Sequence, residues 1–490
     1  MKTSTLLIGG TIGVAALWSA GWFMGKALYV EPEADKVVEQ LRSGEVFFSF
    51  DVRTISGFPF GYDVSYENVK LSDGSLQWQW SAAEMKVGSG VTDAGSLVLT
   101  PAAESKLSIE ATAFGGAPDT PPAVFDIASE GMEVRLSDAD GGATVVAGAT
   151  SLLATQVDGT SVISDGKLRF DDLDINLDAT ADFANVDSTM TAAEMEIVYR
   201  ISLDGVVESN SASTLQDVKV AFSGEGVNTE NLAQFIESGG TADFSYSAAS
   251  YTGTGGNSGG PSAPPINVDI AGGLTTAVVS VRDGRVAYSA DAADIDYDMK
   301  MEGPLEDGGA TLSGMAMRFE MPVSASPDAG PYEIVMTLSE LALDEPVWAL
   351  FDPGRAIART PMNVSIDLGG RVRILSGLGA SSSGQSPVDV ETLDIRDLSI
   401  DGAGVAAKVA GALDIAGNAA LPDGDIKVEV SGALALIDKM ATGGVIPQEA
   451  AELYKTLVQS YARPGPGPDD LIAEIEVDNG VVLVNGLPLQ

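Results

Sequence analysis

Beyond Gly44, hydrophobic and polar residues alternate with a period of two along most of the chain. Val64, Tyr66, Leu76, Trp78 and Trp80 alternate with polar neighbours. So do Leu107 and Ile109, Val134 and Leu136, and Ile197, Tyr199, Ile201 and Leu203. Successive strand residues point to opposite faces, so this spacing predicts antiparallel strands with one buried face. Clusters of Gly, Asp, Asn and Ser separate the runs, as hairpin turns require.

One pattern recurs. Leu168-x-Phe170-x-Asp172-Leu173-x-Ile175 and Leu393-x-Ile395-x-Asp397-Leu398-x-Ile400 match position for position. Met336-x-Leu338-x-Glu340-Leu341-x-Leu343 follows them, and Val64-x-Tyr66-x-Asn68-Val69-x-Leu71 is a looser copy. In each, the alternation slips by one residue at the acid or amide. An uncorrected slip would turn the rest of the strand inside out, so a bulge or bend is expected there. Bulges increase twist, which predicts a curved sheet.

Helical spacing appears in three places. Pro32 to Arg42 places Val37, Val38 and Leu41 on one face. Pro346 to Ile357 carries Val347, Trp348, Leu350 and Phe351. Pro447 to Ala462 has an apolar stripe of Ala450, Ala451, Leu453, Leu457, Val458 and Tyr461, and stops before the prolines at 464, 466 and 468. A last strand runs from Leu471 to Val484, with a turn at Asn479-Gly480. Residues 253–265 are rich in Gly, Ser and Pro and read as a linker or a long hairpin loop. The resulting divisions are 1–30, a β-rich half at 31–252, the linker at 253–265, and a β-rich half at 266–490 with helices near 346–357 and 447–462.

From Leu6 to Met24 no residue is charged, and Lys2 and Lys26 flank the run. As a helix this segment spans roughly the hydrocarbon core of a bilayer, about 30 Å. Trp18, Trp22 and Tyr29 stand where interfacial aromatics sit. The segment predicts one N-terminal transmembrane helix at the inner membrane, with the bulk in the periplasm. A cleaved signal ending near Ser19-Ala20-Gly21 is the alternative, leaving a soluble periplasmic protein.

Charge and composition narrow the function. The chain has 70 acids against 27 bases and a net charge of −43, so phosphate backbones are disfavoured and no nucleic-acid partner is expected. It contains no His and no Cys. That removes His-dependent triads and disulfide staples. Hydrophobic residues make up 45%, too many for a disordered chain.

No phosphate loop, dinucleotide fingerprint or nucleophile elbow is present. Asp294, Asp296 and Asp298 resemble the start of a calcium loop, but the sixth and twelfth positions hold Met299 and Leu305. Asp138 and Asp140 fail likewise, with Ala143 and Ala149 at those places. Asp423 and Asp425 are a third such pair. These acids read as wet strand faces, and neither a metal nor a cofactor is expected. Trp78 and Trp80 share one strand face and read as core.

Ser56-Gly57-Phe58-Pro59-Phe60 follows the anchor and the first helix. Pro restricts the residue before it, so Gly57, Phe58, Pro59 and Phe60 read as a turn presenting two rings to a core. With Trp348, Asp352-Pro353 and Arg359-Thr360-Pro361, and with the ending Val484-Asn485-Gly486-Leu487-Pro488-Leu489, this motif resembles an alphaproteobacterial envelope family, domain of unknown function 2125. The strand rhythm is also similar to AsmA-type envelope proteins, whose long sheets form apolar grooves. The family carries no catalytic residues to transfer. The resemblance therefore implies location and architecture. Trp348, Asp352, Pro353, Pro361, Asn485, Gly486 and Pro488 read as structural.

Together these readings predict a mainly β fold: long curved antiparallel sheets, a few packed helices and the N-terminal membrane helix. The expected role is non-catalytic: shielding or carrying an apolar ligand, a lipid or other amphiphile, along the sheet. An envelope scaffold with no ligand and a carboxylate-based glycan hydrolase are the alternatives. No protein partner is specified by the sequence.

Overall fold

The computed structural model describes Glu31, Asp35, Val38 and the chain from Val46 to Pro488, apart from short stretches. The longest of these are 57–61, 90–95, 113–120, 259–264, 302–306, 377–387 and 416–421. Among the described residues, 27 strands and, beyond Val46, four helices form a mainly β architecture. Two compact units divide the chain: Met1–Ala181 with Ser188–Ala212, and Asp182–Asp187 with Ser213–Gln490.

In the first unit, β1 (Val46–Ser49) and β2 (Val52–Ser56) pair in succession along β3 (Tyr62–Asp73), which pairs with β4 (Trp78–Ser89). β5 (Ser96–Pro101) and β6 (Glu104–Ile109) lie end to end along β4. β7 (Ala123–Glu130) pairs with β6, and β8 (Glu133–Ala139) with β5. β9 (Gly142–Asp158) spans both and pairs on its other edge with β10 (Ile163–Thr180). Every one of these pairings is antiparallel. β11 (Asn185–Leu203) and β12 (Val207–Glu225) carry the chain into the second unit.

There β12 pairs with β13 (Thr241–Ala248) and β14 (Ser250–Asn257). β15 (Ile266–Gly272) and β16 (Thr275–Arg282) pair with β14 and β13, and both pair with β17 (Arg285–Met301). The meander continues through β18 (Asp307–Pro322), β19 (Gly330–Leu343), β20 (Met362–Ile374) and β21 (Val388–Gly402). β22 (Val405–Asp414), β23 (Asp423–Ser431) and, after β24 (Arg463–Pro464), β25 (Asp470–Asp478) follow. β26 (Val481–Val484) and β27 (Leu487–Pro488) end it. The helices are α1 (Leu232–Glu237), α2 (Glu345–Phe351), α3 (Ala433–Thr442) and α4 (Gln448–Tyr461).

Each recurrent slip has a visible cause. Asn68, Asp172 and Glu340 adopt the left-handed conformation, with φ of 53°, 50° and 51°. Side chains unbranched at Cβ tolerate that conformation better than β-branched ones, Asn and Asp best of all. One left-handed residue exchanges inward for outward parity, so the apolar set returns to its own face. At the fourth copy an extra residue does the same work: Ile395 to Leu398 spans one position more than the facing Val409 to Gly411. Two further copies escape the apolar pattern because Ser213, Ala290 and Ala292 occupy apolar places. They centre on Asp217 (φ 50°) and Asp294 (φ 49°). Val69 and Val218, each following a left-handed residue, are 0% and 1% exposed.

Several expectations shift. The second helix is Glu345–Phe351 and not 346–357, because Pro353 stops it and Asp352 turns away with φ −142°. The third is Gln448–Tyr461, and its Leu453 and Leu457 are exposed. The division between the two units falls at β11 and β12. Gly253 to Asn257 instead pairs with β15 as one arm of a hairpin, since small residues pair through the backbone as well as large ones. Sequence periodicity missed α1 and α3. Glu31, Asp35 and Val38 are helical. The anchor at 1–30, Gly57 to Phe60 and Asp140 lie outside the described residues. Among the described residues no helix is long and apolar enough to cross a membrane.

Candidate functional site

Residues directly opposite on antiparallel strands share a face. In the second unit, Phe222, Phe244, Val279, Tyr288 and Phe319 face one another in turn from β12 to β18. Ile334, Leu368 and Ile395 extend this rank to β21. The rank two residues away holds Tyr246, Ala277, Ala290, Met317 and Met336, then Ile366 and Leu398. The intervening positions, on the opposite face, include Ser245, Ser289, Arg318 and Asp367. At a strand spacing of about 4.8 Å, eight strands carry the first rank over roughly 34 Å.

This apolar face is incompletely covered. Phe244, Met317 and Leu398 are 41%, 38% and 40% exposed. At the adjoining rank α1 seals the surface. Phe235 and Ile236 pack with Val323 against Ala242, Val281, Val286 and Met321. Gly240 lets the chain return beneath this helix, since a side chain there would strike the Phe235 ring.

The first unit has its own apolar rank of Val64, Val87, Leu99, Val134, Ala147 and Ile175. Phe48, Tyr66 and Val38 cover it near β3, with the Phe48 and Tyr66 rings edge to face at 5.4 Å. Trp80 packs against this core and donates its Nε1–H to Ser105 Oγ at 3.1 Å. A cavity of about 610 Å³ lies beside Asn68, Ser81, Ala83, Glu104, Lys106 and Asp126. Lys106 Nζ holds Asp126, its cross-strand neighbour in the cavity lining, at 2.9 Å.

The C-terminal motifs form two joints. Asp352 is fully buried just after α2. Its carboxylate accepts the N–H groups of Ala356 and Ile357 at 2.9 and 2.7 Å, and an Arg359 N–H. Burial pushes the Asp352 carboxyl up, but the Arg359 and backbone hydrogen bonds outweigh it and hold it below the usual carboxylate range. Arg359 lies over the buried Trp348 ring, 4.8 Å from its centroid, and donates to the Asp352 carbonyl at 2.9 Å. Pro361 and Met362 then pass Gly402, where a Cβ would come within 2.6 Å of the Pro361 carbonyl. In the second joint, Asn485 (φ 49°) and Gly486 (φ 77°) turn β26 into β27, placing Pro488 opposite Leu483. The Asn485 side chain donates to the Tyr461 carbonyl at 2.7 Å and accepts from Glu474 N–H at 3.0 Å.

The model of a family described as an uncharacterized protein conserved in bacteria, DUF2125, matches residues 22–294 and 267–490. The chain belongs to the DUF2125 family. No curated protein and no solved structure matches it. In this DUF2125 chain, Trp348 on α2 and Asp352, Pro353 and Pro361 between α2 and β20 sit at one joint. Asn485, Gly486 and Pro488 sit at another, beyond α4. Among the described residues, none of these positions stands in the apolar ranks. Asp294, Asp296, Asp298, Asp423 and Asp425 are exposed on their strands. The ranks escaped sequence reading because they run across strands, and only register shows which residues face each other.

Proposed function

We propose that this DUF2125 protein is a non-catalytic envelope protein that shields or carries a lipid along the apolar face of a curved sheet. The segment from Leu6 to Met24 would hold it at the inner membrane, with its bulk in the periplasm. The supporting observation is the paired rank from Phe222 to Ile395, where Phe244, and Met317 and Leu398 in the rank beside it, stay open to solvent. Its length of roughly 34 Å exceeds one leaflet, about half of a 30 Å hydrocarbon core, so an extended acyl chain fits along it. Lipid extraction and mass spectrometry of the purified chain test this reading. An amphiphile at near-stoichiometric amount is expected; a lipid-free protein overturns it.

A ligand-free envelope scaffold is the second reading, favoured by Leu453, Tyr454 and Leu457 standing exposed on α4. A stoichiometric protein partner in a membrane pull-down, with no lipid, would select it. A glycan hydrolase has less support. Of the two acids lining the first unit's cavity, Glu104 and Asp126, the second is already ion-paired to Lys106.

A further inference from the structure

The chain has 14 methionines and no cysteine, so every sulfur it presents to an oxidant is a thioether. They are not equally placed. Met317 on β18 is 38% exposed on the apolar face. Directly opposite it on β19 stands Met336, and on its other side stand Ala290 and then Ala277. Two methyl side chains in succession leave one flank of Met317 without bulk. Met85 and Met362, by contrast, are buried among core residues.

The geometry points to Met317 and its neighbour Met336 as an oxidant-sensitive modification site that switches off the apolar face. The oxidant class is a peroxide. The thioether sulfur attacks one peroxide oxygen, the O–O bond breaks, an S–O bond forms, and the second oxygen leaves as water after taking up the protons. Sulfur loses two electrons and the peroxide gains them. The product is a polar sulfoxide in the middle of an apolar rank, where it disfavours an acyl chain that cannot hydrogen-bond to it. A thiol-dependent sulfoxide reductase would reverse the step. Selective oxidation rests on placement alone; its consequence for binding rests on the lipid-carrying reading above.

The test uses the purified full chain, hydrogen peroxide and a diazirine-bearing palmitic acid as the captured probe. Peptide mass spectrometry follows each methionine over time. Met317 sulfoxide is expected to form at least about fivefold faster than that of Met85 or Met362, following exposure. Photo-capture of the probe is expected to fall severalfold in the oxidised chain relative to its own untreated sample. In the double variant Met317→Leu, Met336→Leu, the ratio of treated to untreated capture should stay near one. Equal oxidation rates at Met317 and Met85 overturn the site. Unchanged capture after Met317 is oxidised overturns the switch. If the untreated chain captures no probe, the lipid-carrying reading fails and the switch with it, while the rate comparison still decides whether the site exists.

Discussion

Arg359 stacks over Trp348 at 4.8 Å while its guanidinium also reaches the carboxylate of Asp352. One side chain thereby closes the turn after α2 on an aromatic plane and a buried charge. Arg suits this role because its planar fork bonds and stacks at once. Replacing Asp352 by Ala leaves that fork facing two unsatisfied backbone N–H groups. A loss of about 3 kcal/mol is expected, read from the denaturant midpoint. Arg359→Lys should lose part of this, since Lys cannot stack and fork together.

The same joint sets a pH dependence. The Asp352 carboxyl lies below its usual range, so the folded state binds fewer protons there than the unfolded chain. Its stabilisation is therefore full above the unfolded value, about 4, and is lost as pH falls through the lower folded value. The stability gap between wild type and Asp352→Asn should be open at about pH 7 and close as acid protonates the folded carboxyl. A gap that widens on acidification would contradict this sign.

Adjacent residues of β19 separate the two sheet faces. Ile334 lies in the apolar rank opposite Phe319 and Leu368, whereas Val335 faces Arg318 and Asp367. Ile334→Asp should abolish capture of a photoreactive fatty acid, because an ionised carboxylate in an acyl-lined groove is costly. Val335→Asp should leave capture within about twofold, because this half-buried residue lies on the opposite face, beside Arg318 and Asp367. Equal loss in both variants would count against the apolar face as the binding surface.

The left-handed residue of β10 gives a backbone prediction. Asp172 (φ 50°) is exposed, so its side chain is replaceable while its conformation is not. Asp172→Gly should be nearly neutral. Asp172→Val should cost about 1–2 kcal/mol, since a branched Cβ crowds the following carbonyl there. Thermal or denaturant melting of the pair reads the difference.

Asn485 ties the end of α4 to β25 through Tyr461 and Glu474. Asn485→Asp removes the amide donor but keeps the shape. Faster amide hydrogen exchange in the last turn of α4 is expected, while the Glu474 N–H, whose acceptor oxygen is kept, stays protected. Exchange unchanged in that turn would mean that packing alone holds the helix.

Much of this protein was readable along the chain. Alternation through Val64, Tyr66 and their counterparts determined strands with one apolar face, because side chains on a strand repeat every two residues. The slips at Asn68, Asp172 and Glu340 announced their own correction, because an uncorrected slip would bury polar residues. Other features needed the third dimension. Asp217 and Asp294 hid because Ser and Ala stand in for larger apolar residues around them. α1 is six residues long, too short for a helical period to declare itself. The rank from Phe222 to Ile395 joins residues far apart in sequence, and Met317 meets Met336 only through the register of β18 on β19. Local periodicity determines which way a side chain points, but register between strands decides what it points beside, and register is set by turns and bulges acting together over the whole sheet.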